Sequence, residues 1–351
     1  MLDKVEKLAS SGDVNAQMKM AAYYDFHEGG DNENYDEEKV VFWYEKAAKQ
    51  GNAEAQYMLG LCYLNDYEDS SEEGDDANGR SRCIEWFEKA AKQGHDKAQY
   101  ELAFCYENEY FVEAKNEEDS EENEKRASFW YYNSAKQGNA LAQFKIGERI
   151  QHNLGVSKED SIVEKAAYWY LLSAKQGVEE AQIALAELYS SCELDEDEDN
   201  PEETAVYWYK KAAEQGNADA EYALYHYYMD CDEPDISLSK RYLELSAKHN
   251  NVEAMDELAR EYELGERIVK KDFHKALYWH KKVAEGNYVF DLREASREHS
   301  MLQLAVMLSG INDHLALYWL KKHDEISTKK YPDFVEMLEN RIKRRGKTDN
   351  D

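Results

Sequence analysis

Apolar residues along this chain recur at helical intervals and do not alternate as a strand would. In FWYEKAAKQG, residues 42–51, Trp43, Tyr44, Ala47, Ala48 and Gly51 fall at i, i+1, i+4, i+5 and i+8, one face of an α-helix. The following NAEAQYMLGLCY places Ala55, Leu59, Gly60 and Tyr63 at i, i+4, i+5 and i+8, a second helix of similar face. Between them Gly51 supplies a left-handed position that ends the first helix, and Asn52 can cap the next through its side-chain oxygen. The pair therefore reads as an antiparallel helix hairpin with a short turn.

The same phrase returns along the chain. Trp43, Trp86, Trp130, Trp169 and Trp208 are separated by 43, 44, 39 and 39 residues, and Gly51, Gly94, Gly138, Gly177 and Gly216 follow each of them eight residues later. A period of this size marks a helical solenoid, because one hairpin cannot bury its own apolar face and needs a neighbour. Burying a tryptophan between neighbouring hairpins is worth about 2–3 kcal/mol, and the repeated tryptophan is expected to fill that gap. Two recurring glutamine series, Gln50, Gln93, Gln137, Gln176 and Gln215 before the glycine and Gln17, Gln56, Gln99, Gln143 and Gln182 in the second helix, are expected to bond backbone groups of the turn or of the next repeat.

These phrases resemble the Sel-1-like repeat family, relatives of the tetratricopeptide solenoids; AVYWYKKAAEQGNADAEYALY, residues 205–225, is similar to its pattern almost throughout. The resemblance spans about residues 1–320 and implies an all-α fold, an α/α solenoid of about eight to nine antiparallel helix hairpins. A degenerate hairpin precedes the five tryptophan-led copies. A weaker copy follows with Tyr242 in the tryptophan place, and then two divergent ones at Trp279 and Trp319, the first with an extra segment, NYVFDLREASREHS. The family's Gly-rich loop survives only in fragments such as Leu154-Gly155-Val156, and the in-repeat cysteine pairs of its disulfide-rich secreted members are not expected here.

Composition then restricts the reading. At 351 residues, 42% hydrophobic and 33% charged, the chain has too much charge for one compact core and enough apolar material for an elongated one. Pro201, Pro234 and Pro332 each precede a helix-like stretch, where a missing N–H costs little. The opening MLDKVEKLAS has no secretory apolar run and no stretch is long enough to span a membrane, so a cytoplasmic protein without membrane contact is expected. Five cysteines, an odd number with Cys62 and Cys105 at the same place in successive repeats and the other three elsewhere, make no disulfide framework and read as free thiols.

Charge divides the chain. The whole carries 43 Lys+Arg and 74 Asp+Glu; residues 236–351 hold 21 and 20 of these, leaving 22 and 54, a net −32, for residues 1–235. The expected organisation is strongly acidic repeats over 1–235, near-neutral divergent repeats over 236–325, and a capping helix with a basic tail over 326–351. Acidic stretches at 65–76, 116–124 and 193–203 read as inserts leaving the solenoid between hairpins, with Glu72, Glu73, Asp195, Asp197 and Asp199 as candidate contacts. Such runs either solvate the surface or steer a basic partner. They repel phosphates, so nucleic acid is not expected; Arg341, Lys343, Arg344 and Arg345 are read as completing a helix end. Asp195, Asp197 and Asp199 imitate a calcium loop but lack its glycine and its closing glutamate.

Aromatic residues precede several tryptophans: Phe42, Phe129, Tyr168, Tyr207, Tyr278 and Tyr318, with Glu85 and Arg241 interrupting the series. They either pack at the edge between repeats or form a recognition ladder for a bound protein. Catalytic motifs are missing: there is no H-E-x-x-H, G-x-S-x-G, P-loop or Cys-x-x-Cys, and His274 and His280 do not share a helix face. The expected function is a non-catalytic, monomeric protein-binding scaffold or adaptor with no cofactor. Bacterial members of the family imply a narrower alternative, an immunity or inhibitor protein neutralising a basic protein such as a nuclease toxin. A hydrolase or metalloenzyme is the minor alternative.

Overall fold

The computed structural model describes residues 2–25, 34–69, 77–108, 112, 116–152, 162–191, 201–265, 267–286, 291–327 and 329–348. All regular elements among them are α-helices, in two compact units, residues 1–197 and 198–351. The first unit holds α1 (Leu2–Ser10), α2 (Val14–Tyr24), α3 (Glu37–Lys49), α4 (Ala53–Asp69), α5 (Ala77–Lys92), α6 (Asp96–Glu107), α7 (Glu117–Lys136), α8 (Ala140–Gln151), α9 (Ile162–Lys175) and α10 (Glu179–Ser190). The second holds α11 (Pro201–Glu214), α12 (Ala218–Asp230), α13 (Ile236–Lys248), α14 (Val252–Leu264), α15 (Phe273–Glu285), α16 (Asp291–Leu308), α17 (Asp313–Ile326) and α18 (Pro332–Thr348). Within each unit every helix packs on the one before and the one after. The odd-numbered helices therefore form one layer and the even-numbered helices the other, as in an α/α solenoid.

The hairpin turn follows from its residues. Gly51 takes φ +89°, Gly51 N–H donates to Ala48 C=O and Asn52 N–H to Ala47 C=O, which closes a Schellman turn; Asn52 Oδ1 then accepts from Ala55 N–H at 2.7 Å and starts α4. In the turn from α13 to α14 the left-handed residue is Asn250, φ +70°, the side chain that tolerates this region best after glycine.

Within each unit, every junction between an even helix and the next odd one holds the residue that follows the tryptophan place: Tyr44, Phe87, Tyr131, Tyr170, Leu243, His280 and Leu320 are all buried, whereas Trp86, Trp130, Trp169 and Trp279 are only half-buried. The expectation that tryptophan fills the gap holds only in part: Trp43, Trp208 and Trp319 are buried, but at the other repeats the next residue, about 100° further round the helix, is the one that points into the core. The facing residue is sized to match. A Cβ on Gly60 would lie 2.5 Å from the Phe87 ring, and one on Gly147 2.5 Å from the Tyr170 ring. At the corresponding pair in the second unit the sizes are exchanged: Tyr225 takes the glycine register and Leu243 the aromatic one, both in one buried cluster. The buried phenols keep their hydroxyls satisfied, Tyr44 donating to Asp25, Tyr131 to Glu107 and Tyr170 to Gln151.

The glutamines form ladders. Gln56 Nε2 donates to Ala48 C=O at 3.1 Å, and Gln56 Oε1 accepts from Gln93 Nε2 at 2.6 Å. The rungs Gln50–Gln17, Gln137–Gln99 and Gln176–Gln143 repeat this at 2.8 Å. In the second unit the same two places hold Glu221 and His249, 2.8 Å apart. Burial raises the Glu221 carboxyl, an effect the histidine opposes.

Two sequence expectations change. The acidic run 116–124 is no insert: Asn116 caps α7 through Asp119 N–H, and the run forms the helix's first turns, where acids complement the dipole and Glu121 and Glu122 pair with Lys125 and Arg126 one turn on. Likewise 65–69 continue α4, 201–203 open α11, and Asp291–Ser300 of the extra segment begin α16. The rest of these runs lies outside the described residues. Pro201 and Pro332 are first residues of α11 and α18, and Pro234 stands just before Asp235, which caps α13.

Helix α18 packs on α17 through buried Leu338, with Phe334, Val335 and Met337 around it. Arg341 donates to Ser309 Oγ at 3.1 Å and Arg345 to Gly310 C=O at 3.2 Å, both beside buried Asp313. These two arginines, read from sequence as completing a helix end, thus tie α18 to the α16–α17 turn.

Candidate interaction surface

On α7, α9 and α15 three successive residues divide three environments, exposed ring, half-buried seam and buried core; α5 and α13 carry Glu85 and Arg241 in the ring place. Phe42, Phe129, Tyr168, Tyr207, Tyr278 and Tyr318 are between 47% and 58% exposed, so they do not pack between repeats. Each instead rests edge-on against its own tryptophan, with ring centroids 4.9 Å apart for Phe42–Trp43 and Phe129–Trp130, 5.4 Å for Tyr168–Trp169, and 5.0 Å for both Tyr207–Trp208 and Tyr278–Trp279. The tryptophan is thereby a pedestal, fixing the outer ring in one orientation before any partner arrives. Trp43 and Trp208 are buried, while Trp86, Trp130 and Trp169 reach the surface. In the first unit Tyr132, 46% exposed, reaches Trp169 of the next odd helix at 6.0 Å and joins the rings of neighbouring hairpins. Gly51, Gly94, Gly138, Gly177 and Gly216 all take the left-handed turn and lie away from this face. Glu72, Glu73, Asp195, Asp197 and Asp199 lie outside the described residues.

Charge separates by layer, which the run-by-run reading missed. In the first unit the odd helices α3–α9 carry 12 Lys+Arg against 12 Asp+Glu and the even helices 4 against 11; in the second, α11–α17 carry 10 against 8 and the even helices α12–α16 3 against 11. Within each unit the odd layer is thus near neutral and the even layer strongly acidic.

Two polar clusters are buried. Arg149, 1% exposed, donates to Glu107 at 2.8 Å, Ser128 Oγ at 2.8 Å, the Glu124 carbonyl at 2.9 Å and the Glu124 carboxylate. It ties α6, α7 and α8 together. In the second unit His280 Nδ1 lies 3.1 Å from Ser300 Oγ, which donates to Asp256 at 3.4 Å. The residue types suggest a nucleophile with its base, but His280 and Ser300 are wholly buried, and burial pushes the imidazole down to about 4. No substrate reaches it. Among the described residues no group of His, Cys, Asp and Glu could hold a metal ion, and no helix is long and apolar enough to cross a membrane. Among the described residues no cysteine is in a disulfide: Cys83 and Cys105 are buried together in one core cluster, and Cys62 and Cys231 are half-buried.

The family model described as Sel1 repeat matches residues 14–52, 53–95, 96–139, 140–178, 179–217, 218–251, 252–288 and 299–322. Each match but the last pairs an even helix with the odd helix after it. Among solved structures, a Sel1 repeat protein from Oxalobacter formigenes is 22% identical, with 97% of this chain and 90% of that one covered, at a TM-score of 0.65, and shares the fold. A protective antigen of uropathogenic Escherichia coli with an SLR fold is 22% identical over 92% of this chain and 79% of its own, TM-score 0.48. An immunity protein from Pseudomonas aeruginosa is 19% identical over 67% and 81%, TM-score 0.36. No curated protein matches by sequence.

Proposed function

Since the chain belongs to the Sel1 repeat family, a fold that generally serves protein–protein interaction, we propose that it is a non-catalytic adaptor or scaffold holding a protein partner against its odd-helix face. The carrying observation is the set of half-exposed rings, each resting on the following tryptophan at the same repeat position of several hairpins. Rigid aromatic anchors of this kind supply contact area at low entropic cost. The acidic even-helix layer supports a second reading, inhibition of a basic protein by charge, as a cytoplasmic monomer.

Comparing captured partners tests both. Native lysate is passed over the intact chain and over a Phe42→Ala, Phe129→Ala, Tyr168→Ala variant, at low and high salt. A partner kept at high salt by the intact chain and lost by the variant is the adaptor outcome. A basic protein held equally by both and released by salt is the inhibitor outcome, and identical captures that ignore salt would refute the two readings together.

A further inference from the structure

The ring-bearing face differs in charge from the chain around it. In the first unit the odd helices α3, α5, α7 and α9 carry 12 Lys+Arg and 12 Asp+Glu, and six of those acids sit at 117–124, in the first turns of α7 and away from its ring at Phe129. The even helices of the same unit carry 4 Lys+Arg and 11 Asp+Glu. Lysines follow the rings by one or two turns. Lys46 lies 4.8 Å from the Phe42 centroid, Lys89 3.8 Å from Trp86 and Lys136 5.4 Å from Tyr132. Lys175 is exposed seven residues after Tyr168. Lys89 is already paired, with Glu85 at 2.7 Å. Lys46, Lys136 and Lys175 have no ion pair among the described residues; Lys46 and Lys136 each stand beside an exposed ring, Phe42 and Tyr132, and Lys175 is exposed two turns beyond Tyr168.

From this arrangement we infer that the ring-bearing face of the first unit docks an extended acidic peptide segment, with apolar side chains on the rings and carboxylates on Lys46, Lys136 and Lys175. The inference rests on the docking reading above and specifies its occupant. The segment it fits carries apolar residues spaced to reach successive rings, with Asp or Glu between them. Glu85, which replaces the ring on α5 and is paired with Lys89, interrupts the series between Phe42 and Phe129 and fixes the register. A carboxylate bound here is held by lysine against a near-neutral layer; a lysine-rich segment would meet those same three cations.

The probes are labelled peptides built of Phe-Asp-Ser triplets, with Phe-Lys-Ser and Phe-Gln-Ser counterparts. Their fluorescence anisotropy is followed on the full chain in about 0.15 M salt, where a Debye length of about 8 Å screens the distant negative charge. The acidic peptide is expected to bind tighter than both counterparts. Replacing Lys46→Glu, Lys136→Glu and Lys175→Glu should weaken it about tenfold and transfer the preference to the Phe-Lys-Ser peptide, since three exposed pairs at about 0.2–1 kcal/mol each are reversed. Both variants alter exposed residues, and circular dichroism establishes that they fold. Equal binding of the neutral peptide, preference for the basic one, or no binding of any peptide would overturn the inference. The basic preference would leave the docking reading standing. Acidic-peptide binding that survives Phe42→Ala, Phe129→Ala, Tyr168→Ala would sink the docking reading itself.

Discussion

Gly60 lies in the middle of α4, where helix propensity alone says alanine should stabilise by about 1 kcal/mol. The packing says the opposite. A Cβ there meets Phe87 Cε1 at 2.5 Å and Cδ1 at 2.6 Å, against an ordinary carbon contact of about 3.5–4.0 Å. Phe87 is wholly buried among Cys83, Ala90, Leu102 and Ala103, so its ring cannot swing aside without opening the cluster. Overpacking of this size costs about 1–3 kcal/mol, so Gly60→Ala should come out destabilising by about 1 kcal/mol after the propensity gain. Phe87→Leu alone leaves a void and costs about 1–2 kcal/mol. The double variant gives the new methyl the room the smaller leucine leaves, and it should be at least about 1 kcal/mol more stable than the sum of the singles. Repeat arrays lose two-state cooperativity, so the suitable assay is hydrogen exchange of the α4 and α5 amides, which reports local opening. If Gly60→Ala slows exchange, or the two changes add, the size-matching argument fails.

Three further outcomes are expected. Arg149→Ala should destabilise the α6–α8 region by about 3 kcal/mol, the lower end for breaking a buried ion pair, because Glu107 and Glu124 stay partly hydrated; a loss below about 1 kcal/mol in local exchange would contradict the clamp. His280 is held neutral, with His299, Arg260, Asp256, Glu263 and Ser300 around it, so its contribution is complete above the unfolded value near 6.5. It is lost as pH falls towards 4, by up to about 3 kcal/mol, and thermal melts across that range should flatten in His280→Leu relative to the intact chain. Converting Glu221→Gln together with His249→Gln should preserve stability at neutral pH, whereas His249→Ala alone should lower the melting temperature by leaving the buried Glu221 carboxyl unmatched.

Much of this fold was readable from spacing. The tryptophan and glycine intervals placed the hairpins, and the recurring glutamines announced their bonds, because both are period signals that any helix of this kind must repeat. Charge was harder to read. The run 116–124 looked like a loop, yet Asn116 as cap and the Glu121–Lys125 and Glu122–Arg126 spacings are helix signals of individually small energy, easily outweighed by a count of acids. Tryptophan drew attention from its successor because size suggests a plug, while the helix phase makes Trp86 or Trp130 the rim and Phe87 or Tyr131 the plug. Arg149 gave no signal, since a buried cation is legible only through partners on other helices. For the surface, the positions of Phe42, Phe129 and Tyr168 were legible; their exposure and the lysines beside them depend on which layer each helix joins.

The chain is folded as odd-to-even hairpins but matched as even-to-odd units, and the ladder bonds explain what this shift in phase allows. Gln56 and Gln93 both fall within 53–95, Gln99 and Gln137 within 96–139, and Glu221 and His249 within 218–251. Gly60 with Phe87, and Tyr225 with Leu243, are likewise housed together. What a unit asks of its neighbour at the rung is only a backbone carbonyl, such as that of Ala48, which any residue supplies. A duplicated unit therefore arrives with its rung and size-matched pairs already in place, so at these positions a chain of this kind can lengthen by tandem copying without rewriting the copies on either side, ties such as Arg149–Glu107 being additions that cross units.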